Sequence, residues 1–340
     1  MKPLVDDIGS FPLPAEINRE TYNKAYQLAR DALANGLDVR EDKFIRENFY
    51  DVTVNSFKLK MRTGLDVVNT PWHYDGIRQV NDVVQKAMEK GTFVVDEKNA
   101  FLPEVRVIET EAKSISEEIG KKIALRACMF GPMQLYLQEM GTVAYKDVLD
   151  NFAETICRFA KNSIVNTKYA KTEAISIDEP SFGFMNIATE KEVLQEILEK
   201  AFNFQGPIRQ IHLHSASRIP NVLEVENIDV VSFEYGASPK NIESVSLKML
   251  EDADKQIRVG VSRTDIGSIM AELNDKCIIK PKTEQLVESK EIIKKRYLSA
   301  KEKYGDRMKF TGPDCGLGGW PSQEAAQLLL KRTADVIKEL

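Results

Sequence analysis

Short apolar runs rich in β-branched residues alternate with longer amphipathic runs along the whole 340-residue chain. Eight of the short runs read as strands. "LVDDIG" (4–9), "DVVNT" (66–70), "ALRACMF" (124–130) and "AISIDE" (174–179) lie in the first half. "RQIHLHS" (209–215), "DVVSFEY" (229–235), "IRVGVS" (257–262) and "MKFTGP" (308–313) follow. The runs between them have helical spacing. The clearest is "TEKEVLQEILEKAF", which opens with Thr189 and Glu192 at capping-box spacing. A last helix is predicted after "GGWPSQ", with Ser322 as its N-cap.

Eight strands alternating with helices predict an α/β chain folded as a (β/α)8 TIM barrel rather than an open sheet. A dinucleotide-binding fold would need G-x-G-x-x-G after its first strand, and the chain has none. No linker or low-complexity stretch divides the sequence, so residues 1–340 read as one barrel domain. The segment from about 75 to 120 is long for one crossover, and "GTFVVDEKNAFLPEVRVIE" reads as a small inserted hairpin.

Composition narrows the function. Apolar content of 43% and charged content of 29% are ordinary for a globular protein. A net charge of −5, with basic residues scattered along helical segments, excludes a nucleic-acid-binding face. Four widely separated cysteines, with no stretch resembling a signal peptide, point to reduced thiols in the cytoplasm. No apolar run approaches the roughly 20 residues of a membrane span.

In a barrel, chemistry gathers at the C-terminal ends of the strands. Those ends carry Ile8-Gly9-Ser10, Asn69-Thr70, Gly131-Pro132, Asp178-Glu179-Pro180, His212-x-His214, Glu234, Arg263-Thr264-Asp265 and Asp314-Cys315-Gly316. His212 and His214 are two apart on one strand and therefore share a face. With Glu234 ending the next strand and Cys315 ending the eighth, two nitrogens, an oxygen and a sulfur converge, the donor set that suits Zn2+ best. Each residue also has a plainer reading: a hydrogen-bonded core histidine, a Glu paired with an Arg, a small buried Cys.

"IGSFP", "ALRACMFGPMQL", "SIDEPSFG", the His-x-His strand, "VVSFEYG" and "GPDCGLGGWP" occur in that order over nearly the whole chain. In order and spacing they resemble the catalytic barrel of the cobalamin-independent methionine synthase family. The resemblance implies a barrel of the uroporphyrinogen decarboxylase/methionine synthase type and a zinc-dependent methyl transfer to a thiol, homocysteine above all. It implies zinc ligands at His212, His214, Glu234 and Cys315, the α-carboxylate at Ile8-Gly9-Ser10, and the ammonium at Asp178.

Three departures from the family pattern change what is expected. The family's second ligand is Cys where this chain has His214. The chain carries only the catalytic barrel, which resembles the short archaeal-type relatives and implies methylcobalamin or a corrinoid protein as donor in place of a polyglutamyl folate. "VVNTPWHYDG" has no acid at the place equivalent to the family's Glu that helps hold the substrate ammonium, so Trp72 and His73 either replace it or signal an acceptor without an amino group. On the seventh strand, Asp265 is the candidate catalytic residue, near where the folate enzymes place a catalytic His. Alkyl transfer to another thiol such as coenzyme M, and a metal-free decarboxylase on the same fold, are the competing readings.

Overall fold

The structure, a computed structural model, describes residues 2–185 and 187–340. Its strands are β1 (Leu4–Val5), β2 (Val68–Asn69), β3 (Ile123–Phe130), β4 (Ala170–Asp178), β5 (Ile208–Leu213), β6 (Val230–Glu234), β7 (Gln256–Ser262) and β8 (Met308–Pro313). They form one sheet in the order β1-β8-β7-β6-β5-β4-β3-β2, every pair parallel. Parallel bridges Asp6–Val67 and Ser10–Trp72 join β1 to β2 and close the cylinder. The Asp66 and Val67 N–H groups both donate to the Val5 carbonyl, at 2.8 and 3.2 Å. All eight predicted strands are present, and the fold is the expected (β/α)8 barrel.

The barrel interior is layered, because inward-facing side chains recur at every second strand position. At the bottom, Val67, Ala174, Val230 and Phe310, one from every other strand, pack as an apolar plug. Above it the remaining strands contribute Asp6, Arg126, Gln210 and Arg258, all fully buried. Arg126 and Arg258 both donate to the Asp6 carboxylate, the latter through Nε at 2.8 Å, and Arg126 lies 4.8 Å from the Phe310 ring centroid. Burial pushes Asp6 up against the pull of both guanidiniums. Gly312 is required beside it, since a Cβ there would come within 2.0 Å of the Asp6 carbonyl oxygen. Asn69, Ser176 and Ser232 follow, also fully buried, and His212 stands two positions above Gln210. The interior thus passes from apolar to charged to polar toward the C-terminal rim.

The inserted hairpin is not there. Helices Gly76–Met88 and Pro103–Ile119 occupy that segment, with one 3-10 turn at Glu97–Asn99 between them. Val105, Ile108, Ala112 and Ile115 are buried at helical spacing, and Pro103 sits in the first turn, where its missing N–H costs nothing. The run of Val and Ile had favoured strands, but the spacing of the buried residues decides the element. The irregular stretch between the helices is held through its carbonyls. Arg30 donates to Phe101 and Asn99 (2.9 and 2.8 Å), and Asn162 donates to Glu97 and Ala100 (2.7 and 2.9 Å).

The two helix-start expectations fared differently. Helix Lys191–Ala201 has Glu190 at its N-cap and no side-chain cap, so the Thr189–Glu192 box does not form. Ser322 does cap Gln323–Lys338, accepting from the Ala325 N–H. Among the described residues, no helix is long and apolar enough to cross a membrane.

Candidate metal centre and active site

His212 and His214 emerge side by side at the end of β5, their ring centroids 5.5 Å apart. Glu234 ends β6 and Cys315 follows β8. One donor atom from each of the four lies within 4.8 Å of every other. His214 Nε2 is 3.5 Å from Glu234 Oε1 and 3.4 Å from Cys315 Sγ. A tetrahedral shell with zinc–ligand bonds of about 2.0–2.3 Å separates its donor atoms by about 3.3–3.8 Å, so these residues fit such an ion with small adjustments.

His212 is fully buried, and its Nε2 has no hydrogen-bond partner among the described residues. Its Nδ1 is 3.1 Å from the Ser232 hydroxyl. In the tautomer with Nδ1 donating, Nε2 keeps its lone pair for an ion, and a ligating histidine usually donates its other ring N–H in this way. An unpartnered buried nitrogen is costly on its own, which favours a ligand at this point.

Electrostatics give the same picture. Burial pushes His212 well below the usual imidazole range and His214 down to about 4. Both rings are therefore neutral and carry lone pairs. Burial, with the charges of Asp314 and Asp265, pushes Glu234 up to about 8, and burial with Glu234 pushes the Cys315 thiol well up. Isolated anions are disfavoured here, and a dication would reverse that preference.

Two side chains brace the ligand-bearing strand ends, and sequence reasoning had assigned neither a role. Asn241 Nδ2 donates to the carbonyls of His214 (2.7 Å) and Glu234 (2.9 Å), while its Oδ1 accepts from the Ala216 N–H at 3.1 Å. Asp314, next to Cys315, accepts from the N–H groups of Tyr235, Gly236 and Ala237 at 3.2, 2.9 and 2.6 Å. Gly236 and Gly260 make room for that carboxylate, since a Cβ on either would lie 2.5 Å from it. The Asp-Cys-Gly motif was the only signal for Asp314, and Asn241 left none.

A cavity of about 640 Å³ opens beside Cys315 and reaches Asp178, Ser10 and Trp72. Asp178 is buried, accepts the Ser176 hydroxyl at 2.6 Å and has no ion-pair partner among the described residues. Burial pushes its carboxyl up to about 7. Ile8, Gly9 and Ser10 form the turn after β1, with Gly9 in the left-handed region (φ 71°) against Gly316. The Ser10 hydroxyl accepts from the Gly318 N–H at 3.0 Å and caps no helix, so this turn and the Cys315 loop brace each other. Neighbouring Glu179 is taken up structurally, accepting from the N–H groups of Met133 and Gln134 at 2.9 and 2.6 Å.

The remaining candidates divide. Trp72 is buried against Phe130, its indole N–H without a partner among the described residues. His73 lies along the cavity, but its ring nitrogens contact the Phe11 carbonyl (2.8 Å) and the Ser56 hydroxyl (3.0 Å). Its ring has no donor or acceptor left for a ligand. Asp265 is clamped in a two-point ion pair with Arg263 at 2.9 and 2.8 Å. Burial works against its charge, yet Arg263 keeps its carboxyl below the usual range. Asp265 is therefore an anion at neutral pH and unsuited to donate a proton. Trp320 is buried and donates its indole N–H to the Thr264 carbonyl at 3.0 Å.

No family model matches the chain, and no curated protein matches it. Solved structures do. A B12-independent methionine synthase from Shewanella sp. W3-18-1, in complex with selenomethionine, aligns with a TM-score of 0.58 at 14% identity, covering 100% of this chain and 98% of that one. A methyltransferase from Methanosarcina mazei aligns with a TM-score of 0.57 at 13% identity, covering 99% and 94%. At such identities the likeness is one of fold, and it extends over the full barrel.

Proposed function

We propose that this chain is a zinc-dependent methyltransferase, acting as a single barrel domain, that moves a methyl group to a thiol, with homocysteine the favoured acceptor. The observation that carries the reading is the convergence of His212, His214, Glu234 and Cys315 beside a substrate-sized cavity. The shared fold with a methionine synthase and a methyltransferase supports it.

Zinc held by the four residues would supply Lewis acidity that keeps the acceptor's sulfur as a thiolate at neutral pH. The protein's own groups position the acceptor for an in-line attack on the methyl carbon. Asp178, without an ion-pair partner among the described residues, takes the ammonium, and the Ile8-Gly9-Ser10 turn takes the α-carboxylate through N–H groups and the Ser10 hydroxyl.

For the donor we favour a methylcorrinoid, free or carried by a protein. Methyl-folate leaves through a nitrogen that must be protonated, and so needs a general acid. Asp265, clamped to Arg263 as an anion, does not offer one. His214 in place of Cys also makes the liganded centre formally neutral rather than singly negative, which weakens the thiolate and favours an activated donor. A corrinoid leaves without taking up a proton. Coenzyme M as acceptor is the second reading, favoured by "VVNTPWHYDG", which has no acid at the place where the family pattern holds the substrate ammonium.

The test crosses methylcobalamin and methyl-tetrahydrofolate with homocysteine and coenzyme M. Methylcobalamin with homocysteine should turn over well above either methyl-folate pair. Turnover with methyl-folate alone would overturn the donor assignment.

A further inference from the structure

The polar layers inside the barrel pass side-chain hydrogen bonds upward to the site. Gln210 on β5 and Ser176 on β4 are partners in register, and Asp178 stands two positions above Ser176 on the same face of β4. Gln210 Nε2 donates to the Ser176 hydroxyl at 3.1 Å, and that hydroxyl donates to Asp178 Oδ1 at 2.6 Å. Gln210 and Ser176 are fully buried, while Asp178 lines the cavity beside Cys315. Ser232, a second serine of that layer, supports the metal ligand His212.

The direction of this relay is set from below. A hydroxyl has one hydrogen, so Ser176 can give it to only one neighbour. If Gln210 turned its carbonyl to Ser176, it would take that hydrogen and leave Asp178 without a donor. The layer that Gln210 shares with Arg126 and Arg258 opposes this. Arg126 Nε and Nη1 and Arg258 Nη1 are buried without partners among the described residues, and so is Gln210 Oε1. On the side of unpartnered guanidinium donors an amide carbonyl is favoured and an amide NH2 is not. The two arginines thus favour Oε1 on their side and Nε2 on Ser176.

At the upper end, Asp178 Oδ1 is engaged by Ser176, and Oδ2 has no hydrogen bond among the described residues. A carboxylate held by one oxygen does not turn freely about its Cβ–Cγ bond. Its other oxygen therefore keeps one aim.

We propose that Gln210 and Ser176 are positioning residues that hold Asp178 Oδ2 toward the cavity. Through them the site prefers a thiol carrying an ammonium over the same thiol without one. The proposal rests on Asp178 as the ammonium site, and the experiment separates the two ideas.

The test is calorimetric binding of homocysteine and of γ-mercaptobutyrate, which is homocysteine without its amino group, to the zinc-loaded protein. The unaltered chain should prefer homocysteine by about tenfold or more, the scale of a hydrogen bond to a charged group. Ser176→Ala should lose most of that preference with γ-mercaptobutyrate binding unchanged, and Ser176→Thr, which keeps the hydroxyl, should retain it. Gln210→Glu reads the direction. A carboxylate there only accepts, so it draws the Ser176 hydrogen away from Asp178 and should lower the preference. An added negative charge acting alone would raise it. A preference unchanged in Ser176→Ala, or unchanged or raised in Gln210→Glu, overturns the relay. Absence of any preference in the unaltered chain, or its persistence in Asp178→Asn, overturns the ammonium assignment instead. If the variants fail to fold, a crystal structure of the unaltered protein with homocysteine decides. The amino nitrogen should lie within about 3 Å of Oδ2, with Ser176 still on Oδ1. A nitrogen on Oδ1 in place of Ser176 overturns the relay, and one away from Asp178 overturns the ammonium assignment.

Discussion

The His214 imidazole and the Cys315 thiol, 101 residues apart in sequence, meet at the top of the barrel with Nε2 and Sγ 3.4 Å apart. Cys315 has no other candidate ligand near it in sequence, and His214 has only His212. The barrel itself brings them together, by ending β5 and β8 on the same rim. A metal assignment built on such a pair stands or falls on whether both residues act on one ion.

Removing one ligand should therefore remove the ion. Cys315→Ala is expected to lose zinc and activity together, while Cys157→Ala, whose thiol donates to the Asn203 carbonyl at 3.2 Å on the outer helices, keeps both. Metal content by mass spectrometry of purified variants decides this. Full zinc occupancy in Cys315→Ala would rule out the assignment.

How the sequence encodes this site is uneven. The eight strands were legible because parallel strands buried on both faces read as compact runs of Val, Ile and Leu. The candidate ligands were legible because barrel chemistry gathers at strand ends. The segment 91–109 misled because β-branched residues bias toward strands, while the apolar spacing that decides a helix there is set by what it packs on. Asn241 and Asp314 were not assigned their roles because a side chain bonding a distant backbone leaves no spacing signal. The buried Asp6–Arg126–Arg258 group was hidden for the same reason, its members lying on β1, β3 and β7. His73 looked like a site residue from its neighbours, yet its ring is spent on Phe11 and Ser56.

Asp178 offers a test that separates binding from chemistry. Asp178→Asn should raise KM for homocysteine by about tenfold or more, the scale of a lost hydrogen bond to a charged group. For a thiol lacking the ammonium, such as coenzyme M, KM should change little. Equal effects on both acceptors in steady-state kinetics would mean that Asp178 shapes the site rather than holding the ammonium.

Glu104 gives a pH signature far from the ligands. It is buried beside Tyr26 and Gln79, and burial raises its carboxyl from the ordinary 4.5 to about 7. A raised carboxyl contributes stability below pH 4.5 that is lost as pH rises through about 7, where a charge must be buried. Glu104→Gln should thus stabilise the fold at pH 8, by up to about 3 kcal/mol, and change it little near pH 5. Thermal melts at both pH values check this, and equal shifts at the two would contradict it.

The most direct test of the central claim, that this barrel uses zinc to hold a thiol for methylation, is X-ray absorption at the zinc edge with and without homocysteine. Without it, the shell should fit two imidazoles, one carboxylate oxygen and one sulfur. With saturating homocysteine, a second sulfur should join at about 2.3 Å, the ordinary zinc–thiolate length. A shell unchanged by saturating homocysteine and by coenzyme M alike would mean that the ion is structural and that the proposed chemistry is wrong.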